Sequence, residues 1–333
     1  MENTKSLEVL APGPLTTVQD LGRPGFGRYG VPPSGALDTF SLRIANLLVG
    51  NAEGEAGLEI TLMGLRVKAL TDLNVAVTGG DLQPQCNNTP LEMWRSHRVR
   101  RGDILHFKAP RKGCRAYLAA GGGIAVPSVL ASKSTNCASH FGGLEGRPLR
   151  KGDILTANQP QRHLADAGRA LRASMIPHYS KQWLLRVLFG PQEDDFTNQG
   201  KELFLHAPFE VTPQSDRTGI RLSGHPVERK QRLPESIISE GVVSGTVQVP
   251  GDAQPIIILV ETITGGYRKI ATVITADLPR LGQIKPGDQV RFQAVSLEQA
   301  LEALEHMEAI IARLKEDAQG SPSRLPMKTK IKG

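Results

Sequence analysis

Cysteine is scarce in this 333-residue sequence. Cys86, Cys114 and Cys137 stand far apart, without the paired spacing of a metal site or a disulfide framework, so each reads as a small core residue. Aromatic residues make up only 5%, and no nucleic-acid-binding motif is present. No apolar run approaches the roughly 18 residues that a membrane helix requires. The opening MENTKSLEVLAPGP carries no apolar signal segment, which leads us to expect a cytoplasmic protein. Familiar chemical motifs are missing too. There is no GxxxxGK[ST] loop, no GxSxG elbow and no HExxH or similar spacing among the eight histidines, so no metal site is expected. Gly121-Gly122-Gly123 fails the GxGxxG pattern because Val126 occupies the last glycine position. Rossmann and P-loop folds are therefore excluded.

The formal charge of +7 suggests a polyanion partner less than it first implies. Arg324, Lys328, Lys330 and Lys332 lie in a tail without acids and account for four of those charges. A second basic cluster, Arg95 to Arg115, alternates in part with Val99, Ile104 and Phe107. That pattern fits the wet face of strands, with an anion- or partner-binding surface as the alternative. Neither a nucleic acid nor a membrane is expected as a partner.

The pattern that is present is mostly β. Short strands separated by turns rich in Gly, Pro and Asn favour a sandwich or a barrel. Leu58, Ile60 and Leu62 alternate with Glu59, Thr61 and Met63, and Asn87-Asn88 reads as a tight hairpin turn. A basic residue, a Gly-Asp turn and an apolar strand recur at Arg101, Lys151 and Lys285, while Thr-Gly-Gly occurs at Thr78 and again at Thr264. These echoes point to two related β-rich halves. We place the first at 1–157, a linker at 158–182, the second at 183–295, a helix at 296–318 and a disordered basic tail at 319–333. Ser296 and Gln299 form the capping box of that last helix, whose stripe runs Leu297, Leu301, Leu304, Met307, Ile311 and Leu314.

One earlier helix organises the first half. Leu37, Phe40, Ile44, Leu47 and Leu48 share a face, Thr39, Arg43 and Asn46 the other, and Gly50 supplies a left-handed stop. Pro32-Pro33 force an extended entry, placing Ser34, Gly35 and Asp38 at the helix N-terminus. Such a junction can hold an anion, and is equally a good helix start. Other loops pair polar residues with bare backbone: Thr78-Gly79-Gly80-Asp81, the stretch Gln214 to Arg221 with Asp216 and Arg217, and Ser239-Glu240-Gly241. In Thr264-Gly265-Gly266-Tyr267-Arg268-Lys269, glycine amides and the Lys269 ammonium make a cradle for a carboxylate or phosphate, or simply a corner with a surface lysine. For Asp216 and Arg217 the plainer expectation is a local salt bridge, and for Glu240 and Asp38 a cap. The functional expectation is that the Gly79 and Gly265 corners share one cleft.

Several blocks, in order, carry a resemblance: GPLTTVQDLGRPGFGRYGVPPSGALDTFSLRIANLLVGN, VAVTGGDL, AYLAAGGGI, VTPQSDRTGIRL, SEGVVSGTVQVPGDAQPI and TGGYRKIATVITADLPRLGQIKPGDQVRF. Over roughly Leu7 to Leu314 the chain resembles the biotin-dependent carboxyltransferase-related family. That family includes the C-type component of 5-oxoprolinase, the KipA-type antagonist of a kinase inhibitor, and the second subunit or domain of allophanate hydrolase and urea amidolyase. Relatives commonly read Asp-Arg-Gln-Thr-Thr-Gly-Gly-Tyr-Pro-Lys, where this chain has Val260-Glu261-Thr262-Ile263-Thr264-Gly265-Gly266-Tyr267-Arg268-Lys269.

The resemblance implies a mainly β fold of two cyclophilin-like barrel halves with a few helices, and a component of an ATP-dependent 5-oxoprolinase. Its partners would be a B-type component (KipI-like) together with an A-type component (LamB/YcsF-like). With them it would open 5-oxoproline, or a related small lactam or amide, to glutamate, with ATP bound by this chain or with the partner protein. Asp38, Asp81 and Lys269 are then the catalytic candidates. Ser34, Gly35, Thr78, Gly79, Gly80, Arg217, Glu240, Thr264, Gly265, Gly266 and Tyr267 would hold the substrate or its anion. The alternatives are a regulatory protein that antagonises a kinase inhibitor, and the carboxyltransferase part of a urea-processing biotin enzyme. This chain contains no Met-Lys-Met-type biotin attachment site.

Overall fold

The computed structural model describes residues 4–157 and 167–319. The first part of the expected linker and the basic tail beyond residue 319 lie outside them.

Among the described residues the first half holds β1 (Thr4–Pro12), β2 (Leu15–Gln19), α1 (Thr39–Leu48), β3 (Gly57–Thr61), β4 (Leu65–Ala69) and β5 (Leu73–Asp81). It continues with β6 (Gln85–Cys86), β7 (Thr89–Pro90), β8 (Ser96–Val99), β9 (Ile104–His106), β10 (Lys112–Ala120) and β11 (Ile154–Ala157). Two sheets result, in the orders β11-β1-β4-β9-β6-β7 and β2-β3-β10-β5-β8. Leu7, Val9 and Val67 of one meet Leu58, Ile60, Val75 and Val77 of the other in a shared core. The second half contains β12 (Gln182–Phe189), α2 (Asn198–His206), β13 (Phe209–Val211), β14 (Gly219–Ser223), β15 (Glu240–Gly241) and β16 (Thr246–Val249). After them come β17 (Ile256–Ile258), β18 (Thr264–Gly265), β19 (Arg268–Val273), α3 (Leu278–Leu281), β20 (Gln289–Ala294) and α4 (Leu297–Gln319). Seven of these strands close a barrel, β12-β19-β16-β17-β14-β13-β20, and β15 pairs with β18 as a separate ribbon.

The Gly-Asp signature folds the same way three times. Gly102, Gly152 and Gly287 have φ of 97°, 91° and 85°, a region that glycine enters without strain. Their amides donate to Ala69, Val9 and Val211 on neighbouring strands. Asp103, Asp153 and Asp288 each accept the amide three residues earlier, at 2.8, 2.7 and 3.2 Å. The Thr-Gly-Gly echo does not correspond in the same way. Thr78-Gly79-Gly80 is buried in β5, whereas Thr264 is exposed in the ribbon. At the hairpin, Asn87 and Asn88 both take positive φ, 48° and 68°, between paired Cys86 and Thr89.

The sheet β2-β3-β10-β5-β8 is covered on both faces, which is why β5 is buried along nearly its whole length. Val75 and Val77 face the inter-sheet core, while Ala76 joins Phe40 and Ile44 of α1 in a cluster that continues into the barrel. Burial also extends to the face of α1 opposite its apolar stripe. Asn46 is fully buried, donating from Nδ2 to Glu55 O at 2.7 Å and accepting from Asn51. The same packing places Glu59, which alternates with Leu58 and Ile60 along β3, in the interior.

Helix α4 begins with the expected capping box: Ser296 N donates to Gln299 Oε1 at 2.9 Å, and Gln299 N to Ser296 Oγ at 3.3 Å. It then crosses back to the first half. Arg43 of α1 donates to both carboxylate oxygens of Glu308, at 2.6 and 2.7 Å, and Lys315 donates to Glu53 at 2.7 Å. Inside the barrel, Phe292 stacks on Phe204 with ring centroids 4.4 Å apart and meets Phe209 at 6.1 Å. Phe292→Ala is expected to lower stability by about 3–5 kcal/mol, read from urea unfolding, because the surrounding rings cannot collapse into the space.

Candidate functional site

Where the two halves meet, a buried charged cluster forms around Glu59 of β3. Its Oε2 accepts Leu37 N at 2.9 Å and Tyr117 Oη at 2.8 Å. Its Oε1 accepts Nη1 of Arg217, a residue of the second half, and lies 3.6 Å from Arg115 Nε. Arg217 also donates Nε to Glu261 Oε1 at 2.7 Å and Nη2 to Gly35 O at 2.8 Å. The local Asp216–Arg217 bridge expected from the sequence does not form. Asp216 instead accepts the amides of Thr218 and Gly219 at 2.7 and 3.1 Å.

Beside this cluster stands Asp38, which caps α1. Its Oδ1 accepts Ser41 N at 2.8 Å, and its Oδ2 accepts Ser41 Oγ at 2.6 Å and Gln283 Nε2 at 2.7 Å. Tyr179 Oη donates to the same Oδ2 at 3.3 Å. The glycine corner of β5 receives the same glutamine. Gly79 has φ of 79°, and a Cβ there would lie 2.6 Å from Arg115 O and 3.2 Å from Gln283 Nε2. At Gly80 it would lie 2.8 Å from Gln283 Oε1. Gln283 reaches in from the second half and bridges Asp38, the amides of Cys114 and Arg115, and Arg115 O. Thr78 is buried next to it and donates Oγ1 to Ser41 O at 2.7 Å.

The remaining candidates gather elsewhere. Lys269 Nζ donates to Glu240 Oε1, which also accepts Gln192 Nε2 at 3.0 Å. Gln192 Oε1 accepts Lys269 N at 3.1 Å, so the lysine is bracketed on both sides. Gly265 pairs with Glu240 and Thr264 with Gly241 in the ribbon, and Tyr267 stands half exposed after Gly266. Arg268 is buried and donates to Asp195 Oδ2 at 2.7 Å. The Gly79 and Gly265 corners have different surroundings. Gly79 and Asp81 line a cavity of about 540 Å³ that includes no residue of the ribbon. Ser34 lines a second, of about 400 Å³, together with Val260 and residues of α4.

Electrostatics separates the two buried carboxyls. Burial alone would raise the Glu59 pKa, but Arg217 and Arg115 overcome it and hold the group below the usual carboxylate range. Among the described residues Asp38 has no cation of its own; burial pushes its pKa up, against the hydrogen bonds from Ser41, Gln283 and Tyr179. Glu59 is thus a fixed anion and Asp38 a carboxyl that can hold a proton, a pairing that suits acid–base chemistry. Glu59, Gln283 and Tyr179 are not among the residues that the sequence singles out. The only local signal, Glu59 alternating with Leu58 and Ile60, resembles any wet strand face.

Among the described residues the helix N-termini offer no free site for a phosphate. The amides of Leu37 and Asp38, just before α1, and of Ser41 within it are bonded to Glu59, Tyr117 and Asp38. Thr197 caps α2, Ser296 caps α4, and α3 is four residues long. Among the described residues no group of three or more His, Cys, Asp or Glu side chains could hold a metal, and no helix is long and apolar enough to cross a membrane.

Known proteins are similar to this chain in sequence and in architecture. The family model described as "Carboxyltransferase domain, subdomain A and B" matches residues 29–294. The chain is 38% identical to the C subunit of 5-oxoprolinase from Escherichia coli, over 92% of this chain and 97% of that protein. It is 35% identical to the Haemophilus influenzae protein of the same name, over 88% and 93%. A crystal structure of the Kluyveromyces lactis urea amidolyase superposes with a TM-score of 0.88 at 34% identity, covering 97% of this chain but 21% of that one.

Two pH tests follow from the carboxyls. Glu59→Gln should lower stability at neutral pH by about 3–5 kcal/mol, since it strips a partner from buried Arg217. The folded pKa of Glu59 is depressed, so its contribution is present above the unfolded value of about 4.3 and lost as pH falls through the folded one. The gap between wild type and variant should therefore narrow in acid. Asp38 has the opposite sign. Its folded pKa is raised, so wild type loses stability as pH rises from about 3.9 through the folded value, and Asp38→Asn should lack that decline. Chemical unfolding across pH measures both, and parallel curves for wild type and each variant would refute the assignments.

Proposed function

The chain belongs to the family of the carboxyltransferase domain, subdomains A and B, and from that premise we propose that it is the C-type subunit of an ATP-dependent 5-oxoprolinase. The observation that carries this reading is the sequence similarity: the chain is 38% identical to the Escherichia coli 5-oxoprolinase C subunit over 92% of its residues, against 36% for the Lachancea kluyveri urea amidolyase, of which it spans 18%. In this role it acts with A- and B-type partners on 5-oxoproline or a related small lactam.

The buried cluster supports such a role. An unstrained lactam resists water, so its opening requires activation of the amide and a proton for the departing nitrogen. Asp38 can hold a proton at Oδ2, and Tyr179, within 3.3 Å of that oxygen, offers a way to pass it outward. Glu59 and Arg217 fix the geometry around it, because neither buried charge can move without abandoning the other. ATP would supply the activation of the amide, and we assign its binding to the partner proteins. The location is the cytoplasm.

A second reading, the carboxyltransferase part of a urea-processing enzyme, is favoured by the close superposition on the Kluyveromyces lactis protein. One assay separates the two. Mixed with A- and B-type partners, the chain should convert 5-oxoproline to glutamate only when ATP is present, and Asp38→Asn should reduce turnover at least tenfold with the complex intact by size-exclusion chromatography. Wild-type turnover in that variant would remove Asp38 from the reaction. Absence of lactam opening, with carboxyl transfer to urea when carboxybiotin is supplied as the donor, would favour the second reading.

A further inference from the structure

Between the first half and the segment leading into the barrel lies the cavity of about 540 Å³, a volume within the usual range of small-molecule sites. Met93, Trp94 and Ile176 supply apolar lining. Arg111 and Lys112 stand in the same lining, where Asp81 is the one carboxylate. Asp81 is already engaged, accepting Gln83 N at 2.9 Å through Oδ1 and lying 3.4 Å from Arg111 Nη1 through Oδ2. One acid thus stands against two cations, and the Lys112 ammonium has no hydrogen bond or ion pair among the described residues. Cations in a concave, partly apolar setting draw an anion more strongly than the same cations on an open surface. The inner end of the cavity is Tyr179, whose hydroxyl reaches Asp38 Oδ2 at 3.3 Å and lies 3.4 Å from Ser41 Oγ.

We propose that this cavity binds a small organic anion with a ring-sized apolar body, its charge held by Arg111 and Lys112 and its body against Met93, Trp94 and Ile176. Tyr179 then joins the bound molecule to the buried Asp38. A carboxylate on a small ring and the phosphate of a nucleotide share this chemistry. The cavity stands on its own residues, and only the identity of the ligand as a lactam acid rests on the function proposed above.

The test is direct binding to the purified full chain, read by ligand-detected NMR and by quenching of tryptophan fluorescence. The probes are 5-oxoproline, benzoate and AMP. The variants are Lys112→Ala and Arg111→Ala, both exposed positions, with Lys151→Ala on a distant exposed turn as control. At least one probe should bind, with tenfold or greater weakening in Lys112→Ala and no change in Lys151→Ala. Binding of 5-oxoproline identifies a lactam acid, and binding of AMP alone identifies a nucleotide phosphate. If benzoate or AMP binds in this lysine-dependent way and 5-oxoproline does not, the cavity assignment stands, its ligand is not a lactam acid, and the function is judged separately by the reconstituted assay. Failure of all three probes, or affinities unchanged in both Lys112→Ala and Arg111→Ala, overturns the proposal.

Discussion

The buried pairing of Arg217 with Glu59 is the contact on which the rest of this structure depends. Each residue comes from a different half, and both are withdrawn from water. An isolated buried charge is untenable, so each half requires the other's side chain. Glu261 and the Gly35 carbonyl complete the shell of the arginine, and Leu37 N and Tyr117 complete that of the glutamate. A buried ion pair of this kind is weak evidence for added stability, but removing one member is strongly unfavourable. Its effect is therefore on register: it sets how the barrel sits on the sheet, and with that the position of the loop that carries Asp38.

Gln283 makes the complementary neutral contact. Its amide group donates and accepts at once, which lets one side chain satisfy a carboxylate, two backbone amides and a carbonyl. It can come so close because Gly79, Gly80 and Gly113 present no Cβ to it. Bare backbone at a strand-to-glycine junction is open to any close partner, and at this corner that partner is a side chain from the other half. The effect reaches Asp38, which gains a hydrogen bond but no counter-charge, and so keeps the raised pKa that burial imposes.

Much of the fold was legible where the determining contacts are local. The three Gly-Asp turns, the Asn-Asn hairpin, the α4 capping box and the left-handed glycine after α1 all arise from residues within about one turn of each other. The cluster at the interface was not legible, for a physical reason. Glu59 and Arg217 are 158 positions apart, and Asp38 and Gln283 are 245 apart, so no window of sequence contains either contact. A buried strand with both faces covered also hides its charged member among alternating residues, because the alternation looks the same whether the far side meets water or another domain. Local pattern pairs Arg217 with its neighbour Asp216, since nothing in the sequence marks a partner so far away.

The departures from the family pattern at Val260, Glu261 and Arg268 acquire a structural meaning in this light. Glu261 stands where relatives commonly have arginine, and it is the second acid against buried Arg217. An arginine at that position would set two cations together where this chain sets an ion pair. Arg268, in place of proline, binds Asp195 and the Pro234 carbonyl, so the loop is tied down by charge rather than by a rigid ring. Val260 replaces an aspartate, and its backbone carbonyl accepts Ser34 N at 3.0 Å while the residue lines the smaller cavity. A valine can neither donate nor remove a proton, so that wall contributes shape and not acid–base chemistry. In the proposed reaction the proton must come from another carboxyl, and Asp38, buried without a cation and joined through Tyr179 to the larger cavity, has the environment such a group requires.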